Sequence, residues 1–503
     1  MHDLVVLSDL HLGRGKNSET GRYHSLEAFF YDEDLYRFCR YLCDDAGRRN
    51  TPFKLVFNGD VFDLLRIEPD ETTAGGPWRR FGPSLTPALA AHLVAEILAG
   101  HPRFVDAVAH VLKAGYEVVF LPGNHDIELQ WPLVQAEVRR TLTERVRGES
   151  GELAAQAADA LLRFESWFYY EPGRIWIEHG CQYDAESAFR YPLRGSLADG
   201  DDAAQGEADL PLGSFIQRYL YNAFGPITFM VPSTRANARY FKWLLVNRPR
   251  LLARVVASHA PFALQLLRRL SVHPRELLQQ LQGAHQHELE TLAQRSGLGD
   301  KLLTVDRLKD VKHDLVQTVR SLGWQLLRFT LVSLFVAVFV VGLWFAGFLT
   351  INQLQVGFGP KALLFLALNF LLLAAAAMGM GYALFRAQPV PSSGPLSRAA
   401  REIAELLGTP IVTFGHTHDE AVWRLGSVAE HKAWYFNTGT WIAVFTHDEL
   451  LPRERVQLTF LRVRGHDGEL LHWSPGRGEP LPVILLDEDA RGGALVHGGA
   501  PAA

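Results

Sequence analysis

Five short apolar runs along the chain each end in glycine or polar residues. They are Leu4-Val5-Val6-Leu7, Phe53-Lys54-Leu55-Val56-Phe57, Tyr116 to Leu121, Arg174-Ile175-Trp176-Ile177 and Ile411-Val412-Thr413-Phe414. Brief β-branched and aromatic runs halted by turn formers predict buried strands that present the next residues at their carboxyl ends. Helical patterns such as Asp34 to Asp44 and Pro102 to Ala114 lie between the early strands. Strands alternating with helices predict a layered α/β domain.

A different pattern interrupts this one. Phe329 to Ile351 is apolar and uncharged for about 23 residues, and Ala362 to Phe385 is a second such run. At 1.5 Å per residue either is long enough for a hydrocarbon core of roughly 30 Å. A short turn, Asn352 to Lys361, joins them and holds Gly357, Gly359 and Pro360. Arg320 and Arg328 flank the entry and Arg386 the exit, so the positive-inside rule places both ends on the cytoplasmic side. Two buried core helices are the alternative, and the lack of any acid or base inside either run argues against it.

The expected organisation is a catalytic first part (1–190), a basic helical insertion (191–328), a transmembrane hairpin (329–386), a catalytic second part (387–485) and a disordered tail (486–503). Asp199 to Asp209 reads as an acidic linker. From Leu210 to Arg275 there is no Asp or Glu, while Arg218, Arg235, Arg239, Lys242, Arg248, Arg250, Arg254, Arg268, Arg269 and Arg275 are basic and aromatics are interleaved. Basic amphipathic helices with aromatic anchors suit an anionic leaflet. A nucleic-acid groove uses the same residue types, and a helical cap on the catalytic domain accommodates part of the stretch under either reading. Gln282 to Gln317 reads as one or two polar helices forming a stalk. Pro389 to Pro395 reads as a linker, after which Ser397 caps a helix to Leu407 that ends at Gly408 and Pro410.

Composition adds little. A chain of 503 residues exceeds one compact domain, and a net charge of −5 names no partner. Three cysteines make no disulfide framework, and the opening strand lacks a signal-peptide layout, so the catalytic part is expected in a reducing compartment.

Candidate chemistry lies just beyond the five strands. In order come Asp9-Leu10-His11, Gly59-Asp60-Val61-Phe62-Asp63, Gly123-Asn124-His125-Asp126, His179-Gly180 and Gly415-His416-Thr417-His418. Singly, Asp9 or Asp60 would read as a turn residue and a His-x-His pair as surface polarity; together they describe a metal centre. Cleaving a phosphate ester requires neutralised phosphoryl oxygens and a water made nucleophilic near neutral pH. Two divalent cations roughly 3.5–4 Å apart supply both and need a bridging carboxylate, for which Asp60 is the candidate. A carboxylate and imidazole set without thiolate suits Mn, Fe or Zn rather than a structural zinc site.

These motifs, with Asn437-Thr438-Gly439-Thr440-Trp441, resemble the calcineurin-like metallophosphoesterases. The resemblance covers about the first 190 residues and those from about 400 to 485, and implies a four-layer α-β-β-α sandwich. It implies that Asp9, His11, Asp60 and His418 hold one metal and Asp60, Asn124, His179 and His416 the other. His125 would be the general acid or phosphate-contacting group, oriented by Asp63. Ser8-Asp9-Leu10-His11-Leu12-Gly13 is similar to the UDP-2,3-diacylglucosamine pyrophosphatase branch, which usually has Arg where this chain has His125, and His-Gly-Asp where it has His179-Gly180-Cys181.

Cys181, Cys39 and Cys43 are expected to be packing residues, and His92, His101 and His110 incidental. Arg14 and Lys16 read equally as phosphate contacts or as a solvated loop. The expected protein is a multi-pass enzyme of the inner (cytoplasmic) membrane with its catalytic domain in the cytoplasm and a phosphorylated, lipid-linked or membrane-proximal substrate. Two alternatives compete with it. A nuclease would show affinity for polynucleotide that falls steeply with salt, and a silent membrane scaffold is expected to have lost ligands.

Overall fold

The computed structural model describes residues 2–67, 85–194, 275–309, 339–386, 393–428, 430–446, 453–486 and 495–497, with ten further positions between 210 and 250. The acidic linker and most of the basic stretch lie outside the described residues. The chain forms two compact units, residues 1–236 with 240–311 and 391–503, and residues 237–239 with 312–390.

In the larger unit the strands are β1 (Asp3–Leu7), β2 (Phe53–Asn58), β3 (Glu117–Leu121), β4 (Leu162–Phe164), β5 (Phe168–Glu171), β6 (Ile175–Glu178), β7 (Phe229–Met230), β8 (Ile411–Phe414), β9 (Glu420–Val428), β10 (His431–Thr438), β11 (Ala443–Thr446), β12 (Arg453–Val456), β13 (Thr459–Arg464), β14 (Asp467–Ser474) and β15 (Glu479–Pro482). One sheet runs β15-β14-β13-β1-β2-β3-β4 and a second runs β5-β6-β8-β10-β9. β1 to β4 pair in parallel, as do β6, β8 and β10.

Side-chain alternation builds the layers, because successive residues of a strand face opposite sides. Leu4, Val6, Val56 and Val119 meet Ile177, Ile411 and Phe436 between the sheets. Val5, Leu7, Leu55, Phe57 and Phe120 point the other way, onto helices α1 (Asp32–Arg49), α2 (Pro87–Gly100), α3 (Pro102–Lys113) and α4 (Pro132–Ser150). Trp176, Val412, Phe414 and Tyr435 pack under α5 (Arg275–Arg295), α6 (Asp300–Asp306) and α7 (Ser393–Leu407). The order is helix, sheet, sheet, helix.

Three expectations need correction. The segment read as a polar stalk carries Leu289, Ala293, Leu302 and Val305, which are buried against the second sheet; its apolar positions fall on one helical face that the polar majority conceals in a composition count. The helix expected from Ser397 starts at Ser393, and Ser397 Oγ bonds back to Gly394 O within it. His101 is not incidental. It is fully buried between Glu27 and Asp32.

Part of the basic stretch packs as a cap. β7 pairs in parallel with β11, Asn222 Nδ2 donates to Leu65 O, and Ser214, Gln217 and Arg218 are buried. Near the end of the chain, Ile484–Leu486 pairs antiparallel with Leu495–His497, and the second of these strands lies inside the segment expected to be disordered.

The smaller unit contains a helix over 339–353 and another over Phe358–Arg386. Among the described residues no helix is long and apolar enough to cross a membrane, so the two expected spans do not meet that measure there. Positions 329–338 of the first run lie outside the described residues.

Candidate metal centre

Every strand that carries a motif is a member of a parallel set, so the carboxyl ends of β1, β2, β3, β6 and β8 deliver all the motifs to one edge of the sandwich. The backbone turns sharply there. Asp9, His11, Asp60, His416 and His418 all adopt positive φ, between 49° and 70°, and only three other non-glycine residues do so among those described. Left-handed conformations cost about 1–3 kcal/mol each and persist where the surroundings enforce them.

Asp126 enforces part of this turn. Its carboxylate accepts the N–H groups of Asp60, Val61, Phe62 and Gly123, at 2.7–3.2 Å. Burial, and then Asp60 beside it, push Asp126 up to about 6. A second brace comes from the Asn437 to Trp441 segment. Asn437 Nδ2 donates to Gly415 O, and Thr440 Oγ1 donates to Asp9 O. Past His11 the chain is held by Glu27, whose carboxylate accepts the N–H groups of Gly13, Gly15 and Phe29. Gly100 closes against this loop, since a Cβ there would stand 1.9 Å from Arg14 O. Arg14 pairs with Glu96 at 2.9 Å and Lys16 Nζ lies over the Tyr23 ring.

Two donor sets converge around one carboxylate. Asp9, His11, Asp60 and His418 each offer an atom within 4.8 Å of the others, and all four are buried. His11 Nε2 and His418 Nε2 face each other at 2.9 Å, and His418 Nε2 is 3.2 Å from Asp9 Oδ1. Asp9 Oδ1 is itself buried with no hydrogen-bond partner among the described residues. On the other side His179 Nε2 is 3.2 Å from Asn124 Oδ1, which is 2.9 Å from His416 Nδ1.

Asp60 stands between the sets. Its Oδ1 accepts the His125 N–H at 2.8 Å, which turns Oδ2 to within 3.7 Å of His11 Nε2 and 3.3 Å of His179 Nε2. A buried carboxylate oxygen without a hydrogen-bond partner and imidazole nitrogens aimed at one another are the chemistry of a divalent-metal site, and the donor set fits one.

The electrostatics agree. Burial opposes charge on Asp60, but His179 and His125 outweigh it and hold Asp60 well below the usual carboxylate range. Burial likewise opposes a charged His11, yet Asp63, Asp9 and Asp60 raise it to about 10. His418 differs: burial, the largest effect, lowers it despite Asp9 beside it.

Asp63 holds two rings. Its Oδ1 meets His125 Nδ1 at 2.8 Å and its Oδ2 faces His11 Nδ1 at 3.4 Å. The second carboxylate-histidine group formed by His11, Asp63 and His125 therefore reads as an orienting contact. Cys181 is buried beside His179, and burial, then the nearby carboxylates, push its thiol well up, as befits a packing residue. Cys39 and Cys43 lie on the buried face of α1, in the core.

Sequence reasoning missed two groups. Asp126 lay inside a quoted motif but works by collecting backbone N–H groups from another strand end. Asp184, with Oδ2 2.9 Å from His416 Nε2, sits in a short turn after His179-Gly180 and matches no motif.

No curated protein and no solved structure matches the chain. The profile of the calcineurin-like phosphoesterases matches residues 2–288, more than half of it. That span ends before His416 and His418, which the fold nonetheless brings to the same pocket. With the match and this site together, the chain belongs to the calcineurin-like phosphoesterase family.

Proposed function

We propose that this protein is a dinuclear-metal hydrolase that cleaves a phosphate ester or pyrophosphate bond in a lipid-linked or membrane-proximal substrate. The observation that carries the reading is the single Asp60 oxygen placed between two donor sets. Asp9, His11, Asp60 and His418 would hold one cation, and Asp60, Asn124, His179 and His416 the other, with manganese as the assigned ion and iron or zinc as its competitors. Bound there, the cations would neutralise the phosphoryl oxygens and acidify an attacking water.

The chain's own groups handle the leaving side. Asp63 engages His125 Nδ1, so Nε2 is the ring atom that gives a proton to the leaving oxygen as its bond to phosphorus breaks. Asp63 also stabilises the charged ring before that transfer.

Membrane attachment draws support from the smaller unit. Fourteen large apolar residues between Phe339 and Leu371 are exposed, with Leu366 and Phe370 above 70%; a patch of that extent marks a contact surface. Two of its polar side chains pair across the two helices, as burial in hydrocarbon would require. Trp344 Nε1 donates to Asn369 Oδ1 at 3.2 Å, and Asn369 Nδ2 donates to Phe365 O. A hairpin that returns to its starting side lets segments before and after it share one catalytic site on the cytoplasmic face of an inner membrane. The Asp9 to Gly13 motif and this hairpin together favour a lipid-linked phosphate such as the substrate of the UDP-2,3-diacylglucosamine branch.

The test is phosphate release by detergent-purified protein, chelated and then given Mn, from lipid phosphates, UDP-linked sugars, bis-p-nitrophenyl phosphate and single-stranded DNA. Turnover of a lipid-linked substrate that needs Mn and is lost in Asp60→Asn is expected. Turnover confined to DNA favours the nuclease, and silence with two metals bound favours a scaffold.

A further inference from the structure

We propose that Asp184 is the positioning residue that fixes the tautomer of His416 and thereby makes Nδ1 the cation-facing nitrogen of the second site. This inference rests on the dinuclear reading above.

The geometry is specific. His416 uses both ring nitrogens, Nε2 toward Asp184 Oδ2 at 2.9 Å and Nδ1 toward Asn124 Oδ1 at 2.9 Å. An imidazole that coordinates through one nitrogen must carry its proton on the other, and the partner of that second nitrogen decides which is which. A carboxylate oxygen can only accept. Nε2 therefore carries the hydrogen, and the Nδ1 lone pair is left pointing into the set that holds Asn124, His179 and Asp60. His179 is fixed in the opposite sense by a backbone group, Nδ1 donating to Asn58 O at 2.9 Å, so its Nε2 faces the same set.

Asp184 is itself held in place. Its Oδ1 accepts the Glu186 N–H at 3.1 Å, and its Oδ2 accepts the Ser187 hydroxyl at 3.0 Å. These bonds give asparagine at this position a defined orientation. Its carbonyl oxygen must stay on the Glu186 N–H, so the amide NH2 replaces Oδ2 and donates to His416 Nε2. The hydrogen of His416 then moves to Nδ1 and blocks the second site.

A residue that merely caps the turn predicts the reverse ranking, because asparagine caps turns well and alanine does not. Ser187→Ala removes one turn bond and leaves the His416 contact in place.

The experiment is Mn titration of the full-length detergent-solubilised protein followed by electron paramagnetic resonance, which separates an exchange-coupled Mn pair from single Mn ions without relying on turnover. The wild type and Ser187→Ala are expected to show the pair. Asp184→Asn and Asp184→Ala are expected to fill the second site with 10–100-fold weaker affinity, Asn at least as weak as Ala, and excess Mn should restore the pair in Ala before Asn. Circular dichroism confirms folding of each variant. A pair of unchanged affinity in Asp184→Asn overturns the inference alone. A wild type that never forms a pair refutes the dinuclear reading, and the inference falls with it.

Discussion

His125 Nδ1 lies 2.8 Å from Asp63 Oδ1, and the other oxygen of the same carboxylate faces His11. On the proposed reading, the ring that would protonate the leaving oxygen and a ring that would help hold the first cation share one neighbouring carboxylate. Removing the ring should hurt chemistry alone. His125→Ala is expected to lower kcat by about 10²–10⁴ while Mn content stays at the wild-type level, whereas Asp63→Asn should lower both. Initial rates on bis-p-nitrophenyl phosphate with metal analysis of the same samples check this; wild-type turnover in His125→Ala would sink the assignment.

Gly123 gives a steric prediction. A methyl group there would stand 2.1 Å from Asp60 Oδ1 and 2.6 Å from Asp60 N, both fixed elements of the site. Gly123→Ala should displace the shared carboxylate and weaken Mn binding by roughly 10–100-fold, read by calorimetry. Gly148 in α4 meets nothing within 4 Å, and Gly148→Ala is expected to stabilise the helix by about 0.5–1 kcal/mol with Mn binding unchanged.

Cation binding should stabilise the catalytic unit, because its donors come from chain segments brought together only by folding. Free Mn at about 100 times its dissociation constant adds about 2.7 kcal/mol per site. The unfolding midpoint should rise with added Mn and fall on chelation. A midpoint indifferent to both would count against any resident metal.

The buried Glu27–His101–Asp32 cluster sets a pH dependence of stability. Burial disfavours the charged ring, but Asp32 and Glu27 raise His101 to about 9, above its unfolded value of 6.5. Its contribution, on the order of 3 kcal/mol, is complete below about pH 6.5 and is lost as pH rises through 9. Glu27 moves the other way. Burial opposes its charge, yet His101 and backbone N–H groups lower it, so its contribution is present above its unfolded value of 4.5 and is lost as pH falls below it. Urea unfolding of wild type against His101→Gln should give the largest difference between these limits and a shrinking one above pH 9. A difference independent of pH would show the pair to be uncharged.

Deleting 329–385 with a short linker should release the protein from membranes while metal-dependent turnover of a soluble diester persists. Flotation on a density gradient reads the first part. Continued flotation of the deleted protein would transfer the attachment to the basic stretch.

Much of this site was legible because its parts are local. Each ligand follows its strand by one to four residues, and a short apolar run is recognisable without knowing its neighbours. The expected strands at Phe53 and Ile411 match β2 and β8 to within a residue. What escaped depends on partners distant in the chain. Asp126 matters through the N–H groups of Asp60 to Phe62, and Asp184 through His416, 232 positions away. His101 looked incidental because its meaning lies in Glu27 and Asp32, which no spacing rule connects to it. The apolar face of α5 and α6 was hidden by polar composition, since only the sheet beneath shows which side of each helix is covered.

The position of β8 has a consequence for timing. It inserts between β6 and β10 in the middle of the second sheet, and the chain makes His179 and His416 237 residues apart. At 5–20 residues per second, roughly 12–47 s separate their synthesis. For that interval the nascent chain holds four strands of the first sheet and two of the second, with β6 lacking its β8 neighbour, and the smaller unit is synthesised before the gap is filled. Completion of the larger unit therefore waits until the smaller unit has been synthesised, and the pocket gains its last two histidines only then.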